Sequence, residues 1–131
     1  MGDITLFDKA VTNFNSAVLL RKSIDADESQ LNIIAFHLQQ SLEFALKYQF
    51  EMNGIEYPRV HTIEQLIRFG KDNDIDLKLT EYIEEHAEMF SQWEAKSRYI
   101  LGYLIEQKKI DKAIEEIKIY LSAIHESEEK S

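Results

Sequence analysis

The chain has 131 residues, 44% hydrophobic and 30% charged, with a formal net charge of −9. That balance belongs to a globular protein rather than a disordered or fibrous one, and the acidic excess argues against a broad basic surface for DNA or RNA. There is no cysteine, which excludes disulfides, thiolate metal sites and thiol nucleophiles.

One proline and four glycines are few breakers for this length, and the apolar residues recur at helical spacing. The spacing predicts a first helix from about Thr5 to Ser23, with Phe7, Val11, Phe14 and Val18 as its stripe and Ala10 and Ala17 beside it. A second helix is predicted from about Glu28 to Asn53, with Leu31, Ile34, Leu38, Leu42, Ala45 and Met52 on one face. Asn53-Gly54 follows it and reads as a helix stop. Thr62 with Gln65 fits a capping box. It opens a third, shorter helix with Ile63, Leu66, Ile67 and Phe69 on its apolar side, ended by Gly70 and the polar run after it. A fourth helix is predicted from near Thr80 to about Tyr99, with the seam Ile83, His86, Phe90, Trp93 and Ser97. The last carries Ile110, Ile114, Ile117, Leu121 and Ile124, with Asp111 as its N-cap. Short loops between long amphipathic helices predict an all-α, up-and-down bundle of about five helices in a single domain over 1–131, its tail 126–131 frayed. No apolar run approaches the ~20 residues of a membrane span. The N-terminus shows no signal-peptide pattern, so the expectation is a cytoplasmic protein.

The second helix is apolar on two sides. Phe36, Gln40, Glu43, Phe44, Lys47 and Phe50 fall opposite Leu38 and Leu42, with Ile33 and His37 nearby. A helix hydrophobic all round is buried, so the second face meets either its own chain or another subunit, and a homodimer is the expectation. Within that face, Glu43 and Lys47 are an i, i+4 pair in the favourable order. They are either a solvated pair or, with Gln40, part of a polar pocket between phenylalanines.

The stretch Phe36-His37-Leu38-Gln39-Gln40-Ser41-Leu42-Glu43-Phe44-Ala45-Leu46-Lys47 resembles the signature of HEPN domains, the higher eukaryote and prokaryote nucleotide-binding domains. The likeness continues through Gly54, Pro58, His61-Thr62 and Leu66-Ile67 to Ser97-Arg98-Tyr99, and so spans about Phe7 to Ile124. The resemblance implies a helical bundle that is commonly dimeric and often paired with a minimal nucleotidyltransferase as a toxin–antitoxin system. Several branches are metal-independent ribonucleases with an Arg, four to six residues, then His. None of Arg21, Arg59, Arg68 and Arg98 has a histidine at that spacing. After Arg98 the position is held by Tyr103, a poor general base at neutral pH with its pKa of about 10.

Among other groups, Arg98 offers a planar fork for phosphate and Tyr99 a stacking face, with Trp93 and Lys96 on the same helix. The alternative is an arginine tied to Glu43 or another acid, with Tyr99 as core filler. His61 lies in the Pro58 loop ahead of a helix start, where unpaired amides favour an anion; otherwise it packs or caps locally. His86 reads as a hydrogen-bonded core histidine, His37 flanks the polar strip, and His125 has no assigned role. Glu81, Glu84, Glu85 and Glu88 lack a Glu-x-x-His partner and read as a solvated face. No metal or cofactor is expected. Lys96, Arg98, Lys108, Lys109 and Lys112 gather between helices four and five, leaving room for one local phosphate-sized site. Arg98, Tyr99, Lys47, His61, Gln40 and Glu43 are therefore the predicted ligand-binding set for a nucleotide- or RNA-phosphate-binding and partner module. The alternatives are a ribonuclease with a variant site and a ligand-free helical scaffold.

Overall fold

The computed structural model describes residues 4–23, 28–60, 62–99 and 105–129, excepting the side chains of 28–29, 95–99 and 129. Among these residues the structure is all-α, without strands. Six helices occur: α1 (Leu6–Ser23), α2 (Glu28–Met52), α3 (Ile63–Asp72), α4 (Glu81–Glu85), α5 (Ala87–Tyr99) and α6 (Gln107–Glu129).

The helix starts follow local chemistry. Thr5 Oγ1 accepts from the Asp8 amide at 3.0 Å while Asp8 returns a carboxylate oxygen to the Thr5 amide at 2.9 Å, a reciprocal cap for α1. Thr62 caps α3 by accepting from the Gln65 amide at 3.2 Å, and Thr80 does the same for α4 with Ile83 at 3.2 Å. Gly70 stays inside α3 rather than ending it, and the helix is closed at Asn73. A Cβ at Gly70 would lie 2.8 Å from Leu77 Cδ1, so the missing side chain is what lets Leu77 seat against the helix.

The single fourth helix expected from the periodicity is two. The Tyr82 carbonyl accepts both the His86 backbone N–H, at 3.0 Å, and the His86 ring nitrogen Nδ1, at 2.8 Å. A turn separates α4 from α5 there. The last helix begins at Gln107 rather than after an Asp111 cap. Asp111 sits inside it and takes Arg21 of α1 in a two-pronged bond of 2.8 and 3.2 Å. The same helix continues to Glu129, so residues 126–129 are helical.

Contacts give the directions. Phe7 meets Tyr48 at 5.4 Å between ring centroids, Ser41 donates to the Ala10 carbonyl at 2.8 Å, and His37 pairs with Asn13 at 2.9 Å. Partners on α2 fall in number as those on α1 rise, so the two run antiparallel. Bonds from Tyr48 to Glu128 and from Gln49 to Tyr120 join the C-terminal parts of α2 and α6.

Packing makes α2 the central helix, since it touches α1, α3, α5 and α6. Leu31, Ile34, Ala35, Leu38, Leu42, Ala45, Leu46 and Phe50 are all buried. Phe50, placed opposite Leu38 and Leu42, is fully buried by its own chain, its ring edge-on to Phe69 of α3 at 5.1 Å, one of the two outcomes expected for that face. The face assignment is corrected in one place. Met52, placed on the core face, is 62% exposed. The second apolar side of α2 is thus covered in part by the chain's own helices, fully at Phe50 and only half at Ile33. At the far end of the core, Tyr120 donates to Gln49 at 2.5 Å, and Gln49 donates to the Leu77 carbonyl at 2.9 Å. The phenol and amide are thereby satisfied without water.

Candidate functional site

Residues 39, 43 and 47 stand four apart and share one line along α2. Gln39 Nε2 donates to Glu43 Oε1 at 3.3 Å. Lys47 Nζ donates to Glu43 Oε2 at 3.2 Å. Gln40 Nε2 donates to Gln39 Oε1 at 2.7 Å. The result is a chain of polar side chains, Gln40–Gln39–Glu43–Lys47, with both carboxylate oxygens engaged. Gln39 is fully buried, and the Lys47 and Glu43 side chains are only 14% and 11% exposed. The solvated-pair alternative for Glu43 and Lys47 is therefore excluded by burial. The pair is shielded, where charge–charge attraction and the desolvation that opposes it are both larger.

Lys47 also stands over the Tyr57 ring, 5.3 Å from its centroid, a cation–π distance. Tyr57 lies in the segment between α2 and α3, one residue before Pro58. That segment leaves α2 through a Gly54 of positive φ, 70°, where glycine relieves the strain a side chain would bring.

Of the predicted set, Gln40, Glu43 and Lys47 are brought together. Arg98 and Tyr99 fall in the last turn of α5, which packs against α2 and α3, but their side chains lie outside the described residues. His61 and Tyr103 also lie outside them. Gln39 and Tyr57 were not in the predicted set and belong to the site. Gln39 was signalled by its four-residue spacing to Glu43; Tyr57 had no signal, since no periodicity marks a loop aromatic.

The remaining histidines separate from this strip. His37 turns to α1, where it pairs with Asn13, and burial pushes its pKa below the ordinary histidine value. His86 is half-buried rather than in the core and stacks on Tyr82 with ring centroids 3.9 Å apart. Trp93 is in the core, 1% exposed and edge-on to Phe90 at 5.1 Å. Glu81, Glu84, Glu85 and Glu88 are exposed. Among the described residues, no group of three or more His, Asp or Glu is placed to hold a metal ion, and no helix is long and apolar enough to cross a membrane.

No curated protein and no solved structure matches the chain. The family model for the HEPN domain matches residues 5–127, nearly the whole length. Together with the all-α architecture and the Gln-Gln, Glu, Lys sequence along its central helix, this places the chain in a family: it belongs to the HEPN domain proteins.

Proposed function

We propose that this HEPN protein is a noncatalytic binding module that takes the phosphate of a nucleotide or RNA beside the polar strip of α2. Family membership supports a nucleotide- or RNA-related role in general. The observation that carries the site is the shielded Glu43–Lys47 pair, with Lys47 over Tyr57 and Gln39–Gln40 behind it. The Glu43 carboxylate holds the ammonium, and Gln39, itself bonded by Gln40, holds the carboxylate, so one cation is kept in a fixed place where a single anionic group could meet it. Arg98 would add a guanidinium fork and Tyr99 a stacking face, with His61 on the loop side.

Binding of a labelled nucleotide and of a short mixed-sequence RNA at low salt tests this reading. Arg98→Ala is expected to weaken both by about tenfold, as loss of a charge-assisted hydrogen bond does. Unchanged binding would sink the proposal. RNA length in the same incubations addresses catalysis. Intact RNA fits a binding module lacking the Arg-to-His motif, whereas cleavage lost in Arg98→Ala would favour a variant ribonuclease. A specific observation supports the scaffold alternative as well: Glu43 already satisfies Lys47, so phosphate must compete with an internal carboxylate.

In the same reading the module is a cytoplasmic homodimer that engages a minimal nucleotidyltransferase in a toxin–antitoxin-like pair. Ile33, 50% exposed, is an apolar group of the second α2 face open to a partner near its N-terminal half. A solution mass twice that of the chain is expected at micromolar concentration; a monomeric mass would contradict the dimer.

A further inference from the structure

A second cleft lies away from the α2 strip, between the α4–α5 turn and the start of α6. It has a volume of about 520 Å³, within the range of small-ligand sites. Trp93 and Ile105, both buried, line it from within, and Tyr82, His86 and Met89 are half-buried along it. Among the described residues, Glu85, Glu88 and Glu106 are exposed at its rim, against one lysine, Lys109.

The geometry points to an organic cation as the occupant: a guanidinium or alkylammonium group carried on an apolar stem. Three features converge. The first is charge, with three rim carboxylates outnumbering the one lysine among the described residues that line the cleft, so that their fields add. The second is the aromatic interior, because an apolar stem is desolvated there while its charged head stays at the rim. The third is His86. A carbonyl only accepts, so Nδ1, which faces the Tyr82 carbonyl at 2.8 Å, carries a proton. In the neutral ring Nε2 is then an acceptor, suited to an N–H donor rather than to phosphate. The nearby Lys112 does not compete for the site. It stands over the Tyr82 ring at 5.6 Å and pairs with Glu116 at 3.3 Å.

Trp93 is the single tryptophan of the chain, so its fluorescence reports on this cleft directly. The probes are spermidine and N-acetyl-arginine amide, with N-acetyl-citrulline amide as the uncharged isostere and AMP as an anion. Both cations are expected to shift the emission, with citrulline at least about tenfold weaker. Each of Glu85→Gln, Glu88→Gln and Glu106→Gln is expected to weaken cation binding about threefold, as for exposed charge pairs, and the triple variant by about tenfold or more. Lys109→Ala removes the opposing charge and is expected to tighten binding. All four residues are exposed, and circular dichroism of the variants checks that each remains folded. Tighter binding of spermidine would identify a free polyamine as the source of the group; tighter binding of the arginine amide would identify a basic side chain of a partner. Failure of both cations, equal binding of citrulline, or AMP binding abolished by Lys109→Ala would overturn the proposal. None of these outcomes bears on the phosphate site along α2.

Discussion

Phe50→Ala is expected to lower the unfolding free energy by about 4 kcal/mol, within the range for deleting a buried aromatic ring. Phe50 is fully buried and packs edge-on against Phe69, joining α2 to α3. The loss combines transfer of the ring, the void it leaves and the aromatic pair itself, the last worth about 1 kcal/mol. The helical wheel puts Phe50 on a face for which the sequence leaves two partners, its own chain or a second subunit. The two placements differ in one observable. A residue packed within its own chain gives a loss independent of protein concentration, while the loss at a subunit contact shrinks on dilution as the subunits part. Urea unfolding at two concentrations tenfold apart is expected to show the same loss, and a concentration-dependent one would contradict the packing described.

Lys47→Met is expected to cost about 3 kcal/mol. The methionine fills much of the same space, so little of this comes from packing. Removing the ammonium leaves the Glu43 carboxylate shielded from water with Gln39 as its remaining donor, and an uncompensated buried charge is strongly destabilising. The pair as a whole contributes far less, because desolvation of both ions offsets most of their attraction. Glu43→Gln combined with Lys47→Met is therefore expected to unfold within about 1 kcal/mol of the natural chain. The double-mutant cycle reports the coupling directly, and additive losses would show that the two groups are solvated.

The helices themselves were legible because their causes are local. Thr62 with Gln65 and the stripe Ile63, Leu66 and Ile67 specify α3 without reference to the rest of the chain. What stayed hidden depends on distant partners. Asp111 has the composition of an N-cap, yet its carboxylate is taken by Arg21, 90 positions away in sequence. At the break, the His86 ring bonds the Tyr82 carbonyl, a contact that the apolar period does not record. Met52 reads as a core residue yet is exposed, and Phe50, on the opposite face, is covered by α3, because α2 has neighbours on most of its circumference and a two-face division stops describing it toward its end. For the candidate site, the spacing shows that Glu43 and Lys47 meet. Whether they meet in water or under cover depends on the neighbouring elements, and Tyr57 of the following loop is one of the groups that come to stand against Lys47.

The most direct test of the account is nucleotide and RNA affinity in the Glu43→Gln/Lys47→Met double variant, measured at low salt alongside its unfolding free energy. The account predicts a protein about as stable as the natural chain that has lost at least about tenfold in affinity, because the fixed ammonium is gone while the packing remains. A stable double variant that binds as tightly as the natural chain would contradict it and leave the polar strip as an internal brace of the bundle.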